Sequence, residues 1–210
     1  MSHRLRPFLL ASSNPGKIRE IERCLAPCGY RPLPQSVRGI PSPPETGESF
    51  LDNALLKARH AARAATGLPV LADDSGLEVD ALEGRPGVRT SELAGVGADD
   101  ASNVARLLEL LAPYPEPQRR TARFVCCLVW LPADGGEPRV FTGVCPGRIA
   151  PAPRGCNGFG YDPVFEIPEL GRTLAEVDPT TKDALSHRGR ALHALQIFLA
   201  GQAEAGAREL

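Results

Sequence analysis

Apolar residues recur along the chain with two distinct periods, and these lay out most of its elements. Phe8 to Ala11 is a short unbroken apolar run, as a buried strand requires. The polar loop Ser12-Ser13-Asn14-Pro15-Gly16-Lys17 follows, and Ile18, Ile21 and Leu25 then recur at helical spacing until Pro27 and Gly29 end the run. Asn14 is placed to cap that helix and Pro15 to take its first position. A second helix is predicted from about Ser49 to Ala65, with Ser49 and Asp52 spaced as a capping box and Phe50, Ala54, Ala58, Ala61 and Ala65 forming an apolar stripe. Such small residues imply that something packs close against it. A third helix, from about Asp99 to Leu111, carries Val104, Leu107, Leu108 and Leu111 and reads as purely structural. Arg123 to Leu131 is a nearly continuous apolar run, the signature of a central strand buried on both faces. Asp134-Gly135-Gly136 is a hairpin signal, so Arg139 to Val144 is expected to return antiparallel and the sheet to be mixed. A last helix begins near Ser186-His187-Arg188-Gly189, turns Leu192, Leu195 and Phe198 inward, and passes into an Ala/Gly-rich tail from Ala200.

One stretch breaks the pattern. From Val70 to Leu82 an apolar strand runs into the adjacent carboxylates Asp73 and Asp74, and Ser75-Gly76 is expected to turn the chain away at once. Neighbouring carboxylates repel, so either they are solvated in an ordinary turn or a cation or fixed donors hold them. A hard metal ion suits oxygen ligands with no sulfur or imidazole beside them.

Length and composition set the remaining bounds. At 210 residues the chain fits one domain, 1–210, with room for two lobes, and its 42% hydrophobic and 23% charged residues exclude disorder as the default. A net charge of −1 with no Lys/Arg run beyond two residues argues against a nucleic-acid groove or an anionic membrane surface, while leaving a small anionic ligand open. Cys24, Cys28, Cys126, Cys127, Cys145 and Cys156 form no Cys-x-x-Cys pair and read as reduced core residues. The apolar run near the start is too short for a signal peptide, so a cytoplasmic location is expected.

Three further segments carry candidate chemistry. The Ser12–Lys17 loop leads into a helix N-terminus, where backbone N–H groups and Lys17 make a plausible anion cradle, although it is no Walker A loop. Asn53 and Lys57 share one helix face, a placement at which lone polar residues are ordinarily solvated. Pro151 to Pro168 is irregular, and glycines on both sides of Phe159 let a ligand approach the backbone; Phe159 itself is either a base-stacking platform or a buried loop anchor. His187 and Arg188 put cations at a helix N-terminus, against the helix dipole, a local conflict that hints at function.

Taken together, the Ser12–Lys17 loop, Glu45-Thr46-Gly47 with Ser49-Phe50, Asp52-Asn53-Ala54 and Lys57, Ala72-Asp73-Asp74-Ser75-Gly76-Leu77, Gly158-Phe159-Gly160-Tyr161-Asp162-Pro163 and Ser186-His187-Arg188-Gly189 resemble, in order, the motifs of the inosine triphosphate pyrophosphatase family from Leu10 to about Leu195. The resemblance implies a two-lobed α/β fold with a long mixed β-sheet flanked by helices, an active-site cleft between the lobes, and a homodimer. It also implies hydrolysis of non-standard purine nucleoside triphosphates (ITP, dITP, XTP) to the monophosphate and pyrophosphate. Carried over by motif, Ser12, Ser13, Asn14, Pro15, Gly16 and Lys17 would hold the triphosphate, with Lys57 a further phosphate contact. Glu45 and Asp74 would bind Mg2+, and Asp74 would also accept a proton, with Asp73 in support. Ser75 would touch substrate, while Phe159, Gly160, Tyr161, Asp162, Lys182, His187 and Arg188 would surround the base and sugar-phosphate.

One departure stands out. After Pro86-Gly87-Val88 many bacterial members of that family continue Tyr-Ser-Ala-Arg-Tyr-Ala-Gly, whereas this chain reads Arg89-Thr90-Ser91-Glu92-Leu93-Ala94-Gly95, with a charge reversed at Glu92. The same charges would serve a phosphatase that removes the terminal phosphate or a nucleotide sensor without turnover. A haloacid-dehalogenase-type nucleophile does not fit, since Asp73-Asp74-Ser75-Gly76 lacks the spaced Asp-x-Asp.

Overall fold

The computed structural model describes residues 5–64 and 67–208. Its strands are β1 (Arg6–Leu10), β2 (Tyr30–Pro34), β3 (Val70–Val79), β4 (Thr121–Leu131), β5 (Arg139–Ile149), β6 (Phe165–Ile167) and β7 (Arg172–Thr173). Its α-helices are α1 (Pro15–Leu25), α2 (Phe50–Ala64), α3 (Asp100–Leu110), α4 (Pro179–Leu185) and α5 (His187–Arg208). The seven strands form a single sheet in the order β2-β1-β3-β4-β5-β6-β7. It is mixed, as expected: β1 runs parallel to β2 and β3, while β6 is antiparallel to β5 and β7.

The chain divides into two compact units, one joining Met1–Asp74, Cys126–Gly143 and Arg188–Leu210, the other joining Ser75–Val125 and Val144–His187. In the first unit residues 8–10 of β1, residues 70–74 of β3 and the second half of β4 are buried on both faces, and the alternation of side chains sorts them into two cores. Phe8, Leu10, Leu71, Cys126, Leu128 and Trp130 pack with Ile21 and Leu25 of α1 and Leu192, Leu195 and Leu199 of α5. Leu9, Ala11, Val70, Ala72, Cys127 and Val129 pack instead with Ala54, Ala58 and Ala61 of α2. The small residues of α2 therefore do lie against the sheet; Ala65, read as the end of its stripe, falls outside the described residues. In the second unit Leu77, Val79, Leu107, Leu111, Phe124, Ile149, Val164 and Phe165 share one core, to which α3 contributes its apolar face.

Several boundaries differ from those the pattern predicts. β3 does not turn at Ser75-Gly76 but continues to Val79, because the charges of Asp73 and Asp74 are met by partners within the fold rather than by solvent. β2 carries Pro32 and Pro34 and had no strand signature; both are tolerated because β2 is an edge strand. β4 is buried on both faces only in its second half, its first residues alternating buried and exposed. Within Pro151–Pro168 the segment Phe165–Ile167 is a strand. Cys126, Cys127 and Cys145 are buried as expected, whereas Cys24 and Cys28 are half-buried and Cys156 is exposed. Among the described residues no helix is long and apolar enough to cross a membrane.

Candidate functional site

Strand parity decides what the two adjacent aspartates meet. Asp73 follows Leu71 onto the α1/α5 face of the sheet and Asp74 follows Ala72 onto the α2 face. Asp73 is 1% exposed, with Oδ1 2.5 Å from Lys17 Nζ and Oδ2 accepting from Arg188 Nε at 2.7 Å. Arg188 is likewise buried and donates through Nη1 to Glu20 Oε2 at 2.5 Å. Lys17, Arg188, Asp73 and Glu20 are thus linked in one chain of alternating charges. Burial pushes the Asp73 carboxyl up, but Arg188 and then Lys17 outweigh it and hold it well below the usual carboxylate range. Burial likewise pulls the Arg188 guanidinium down, and Asp73 with Glu20 more than restores it. The conflict between Arg188 and the α5 dipole is settled here, since two carboxylates supply what the helix end cannot.

Asp74 meets a different environment. Its Oδ1 accepts from Lys57 Nζ at 2.5 Å, and the same ammonium donates to Glu45 Oε1 at 3.1 Å. Asp74 Oδ2 is buried and has no hydrogen-bond partner. Burial raises the Asp74 carboxyl above its ordinary value, opposed by Lys57. Burial draws the Lys57 ammonium down, yet Asp74 and Glu45 together leave it raised. Lys57 and Asn53 are therefore not solvated, being 7% and 1% exposed. Asn53 Oδ1 accepts from Gly47 N–H at 2.8 Å, tying the Glu45 segment to α2. Ser49 Oγ accepts from Asp52 N–H at 3.1 Å, but the Asp52 carboxylate takes the Ser49 hydroxyl at 2.7 Å, so only half of the capping box is present.

This group carries two carboxylates against one ammonium, with a buried oxygen left over. Among the described residues no set of three or more His, Cys, Asp or Glu side chains is arranged to hold a metal ion. Magnesium does not require one, since it commonly takes one or two carboxylates and completes its shell with water and substrate phosphate. Glu45 and Asp74 fit that need. The Ser12–Lys17 loop caps α1 as predicted: Asn14 Oδ1 accepts from Lys17 N–H at 3.0 Å, Pro15 opens α1, and Ser12 Oγ accepts from Asn14 N–H at 3.2 Å. Ser13 is exposed and Gly16 buried in the first turn.

In the second unit the loop around Phe159 is held by hydrogen bonds to its backbone. Asp162 Oδ2 accepts from Phe159 N–H at 2.8 Å, and a Cβ on Gly158, whose φ is +78°, would fall 2.0 Å from that same oxygen, so only glycine fits. Lys182 pairs with Asp162 and lies over the Phe159 ring, its Nζ 4.7 Å from the centroid. Half-buried Phe159 therefore presents a ring backed by a cation. Gly160 N–H donates to Asp100 Oδ2 at 2.7 Å, and buried Tyr161 donates its hydroxyl to Thr90 O at 2.8 Å. Burial pushes the Tyr161 phenol well above its usual value, so it remains a donor. Thr90 in turn accepts from Leu77 N–H at 2.8 Å and donates to Gly87 O at 2.7 Å. Ser75 is half-buried on β3, and His187, at the start of α5, is 4% exposed.

Sequence reasoning missed Glu20, Asp100 and Phe124, and noticed Asn53 only as an ordinarily solvated neighbour of Lys57. Glu20 and Asn53 had a signal, lying three and four residues from Lys17 and Lys57 on the same helix faces. Asp100 and Phe124 had none, because their partners are distant in sequence; the helix carrying Asp100 is thus more than a packing element.

Comparison with known proteins gives the arrangement its relatives. A dITP/XTP pyrophosphatase of Thioalkalivibrio sulfidiphilus is 50% identical over 196 residues, covering 93% of this chain and 99% of its own. The structure of a HAM1 protein from Coxiella burnetii superposes with a TM-score of 0.83 at 43% identity, covering 94% of this chain and all of the other. The Staphylococcus aureus Ham1 protein gives a TM-score of 0.81 at 38% identity, with the same coverage. The model of the Ham1 family matches residues 8–198, and with all of the motifs inside that span, the chain belongs to the Ham1 family.

Proposed function

We propose that this protein is a magnesium-dependent pyrophosphatase that hydrolyses the non-standard purine nucleotides ITP, dITP and XTP to the monophosphate and pyrophosphate. The observation that carries the reading is Asp74: a buried carboxylate with one oxygen on Lys57, the other without a partner, and a raised pKa. A carboxylate so placed can accept a proton from water at neutral pH. The activity named for close relatives such as the Thioalkalivibrio sulfidiphilus protein supports the same reading.

In the proposed reaction a water oxygen bonds to the α-phosphorus as the bond from that phosphorus to the bridging oxygen breaks, and pyrophosphate leaves. Asp74 Oδ2 takes the water proton. Lys17, Lys57 and the N-terminal turn of α1, with Ser12, Ser13, Asn14, Pro15 and Gly16, are assigned to the triphosphate charge. Glu45 and Asp74 would hold magnesium, which when bound would neutralise further charge on the triphosphate. Ser75, Phe159, Gly160, Tyr161, Asp162, Lys182, His187 and Arg188 are assigned to the base and sugar-phosphate, with Phe159 as the stacking face. Tyr161 contributes through the loop backbone, because its hydroxyl is engaged by Thr90. His187 and Arg188 are the donors for the six-position carbonyl that distinguishes hypoxanthine and xanthine from adenine. An unpaired buried donor costs about 1–3 kcal/mol, enough for tens- to hundredfold discrimination. A homodimer in the cytoplasm completes the proposal.

A substrate panel with separate detection of orthophosphate and pyrophosphate tests it. The expected result is pyrophosphate from ITP, abolished by chelator, with ATP cleaved far more slowly. Orthophosphate as the first product would make the enzyme a terminal phosphatase, and binding without release would make it a sensor.

A further inference from the structure

His187 is almost wholly buried, and its ring lies flat against an aromatic neighbour. The χ2 torsion of a histidine is broad, so the plane of the imidazole is set by whatever packs on it. Phe124 of β4 packs on it, its centroid 4.6 Å away and the two planes inclined by only 12°. Phe124 is 6% exposed and is wedged in turn against Phe165, at 4.5 Å and 42°. A flat contact with a ring itself packed against Phe165 restricts how far the imidazole can tilt.

We infer that Phe124 is a positioning residue for base recognition, acting through His187 by holding the imidazole plane in one orientation. This rests on the assignment of His187 to the base under the proposed function. A donor that can swing reads poorly, because it rotates away from an amino group instead of being left buried and unpaired against it. Fixing the plane is what makes the mismatch costly. Loss of the Phe124 ring should therefore reduce selectivity and affinity while leaving the chemical step near its original rate.

The test is a double-mutant cycle, with kcat and KM for ITP and ATP measured on wild type, Phe124→Leu, His187→Ala and the double variant. Phe124→Tyr keeps the ring and serves as the rescue; melting temperatures are recorded throughout. Phe124→Leu is expected to raise KM for ITP roughly three- to tenfold and to narrow the ITP/ATP ratio of kcat/KM by a similar factor, the scale of an aromatic pair beyond its buried area. The ratio should return with Phe124→Tyr and should not fall further when Phe124→Leu is added to His187→Ala. Equal narrowing in both backgrounds, or a fall in kcat at constant ratio, overturns the inference. Should Phe124→Leu not fold, Phe124→Met enters the same cycle in its place. A wild-type enzyme indifferent to ITP and ATP is a distinct failure, that of the base assignment itself, and removes both.

Discussion

The two faces of the sheet in the first unit treat neighbouring carboxylates in opposite ways. On the α1/α5 face, Asp73 belongs to a cluster in which Lys17 and Arg188 face Asp73 and Glu20. On the α2 face, Asp74 and Glu45 share one ammonium, and an Asp74 oxygen has no partner. The first arrangement stabilises the ionised state of Asp73 and leaves it nothing to exchange. The second has two carboxylates against one ammonium, the basis on which a metal and a proton are assigned to it in the proposed function. A single-residue step along β3 therefore separates a carboxylate held by two cations from one with an oxygen left without a partner, because successive side chains in a strand point to opposite faces.

The largest expected effect is on the α1/α5 face. Arg188→Ala strips two buried carboxylates of their shared guanidinium and should destabilise the fold by about 3–5 kcal/mol, read by urea denaturation. A change under about 1 kcal/mol would mean that the cluster is not a structural unit. Because that loss falls on stability, any narrowing of the ITP/ATP ratio in this variant has to be measured on protein shown to be folded. On the α2 face the effect should be catalytic. Asp74→Asn keeps the size of the side chain and should lower kcat by on the order of a hundredfold or more, with little change in melting temperature. Near wild-type turnover at saturating magnesium would remove Asp74 from the mechanism. Asp73→Asn should do less to kcat and more to stability; the reverse ranking would break the contrast between the faces.

Part of this was legible in the sequence, and the division has a physical cause. Helical and strand periods are local, so α1, α2 and α3 were placed within a few residues, and the Asn14 cap with Pro15 behind it was readable from residue types alone. The motif order pointed to Asp74, Lys57 and Glu45 as members of one site. What the sequence did not show was that β3 passes straight through the aspartates, because the compensating charges come from Lys17, Lys57 and Arg188, remote in the chain. Ser75-Gly76 reads as a turn only while the aspartates are assumed to need solvent. The same holds for β2, whose prolines are permitted by its place at the sheet edge, a fact of topology rather than composition. The roles of Asp100 and Phe124 likewise depend on pairings that only the fold creates.

A smaller effect tests whether the α2 face is built for a metal. Glu45 is 43% exposed at its side chain, so replacing it leaves no buried charge stranded. Glu45→Gln is expected to raise the magnesium concentration for half-maximal activity by roughly tenfold, at the lower end of what changes around a metal site usually cost. An unchanged magnesium requirement would show that Glu45 serves only to pair with Lys57.

The smallest effect separates positioning from ligation. Glu45 lies on a segment with no regular structure, fixed where Asn53 of α2 accepts the Gly47 N–H. That contact is close: a Cβ on Gly47 would stand 2.7 Å from Asn53 Oδ1 and 2.9 Å from Asn53 N. Asn53→Ala removes the acceptor but leaves both carboxylates in the chain. Gly47 is only half-buried, so its N–H can turn to water and the cost should be near the 1 kcal/mol of a single hydrogen bond. If that energy serves to hold Glu45 in place, it appears as a rise of about two- to fivefold in the magnesium requirement, with kcat at saturating magnesium little changed. Should kcat fall instead while the magnesium requirement stays constant, Asn53 acts through Lys57 and not through the Glu45 segment. Combining Asn53→Ala with Glu45→Gln decides between them, since a positioning residue has nothing left to position once its carboxylate is gone and the two effects should not add.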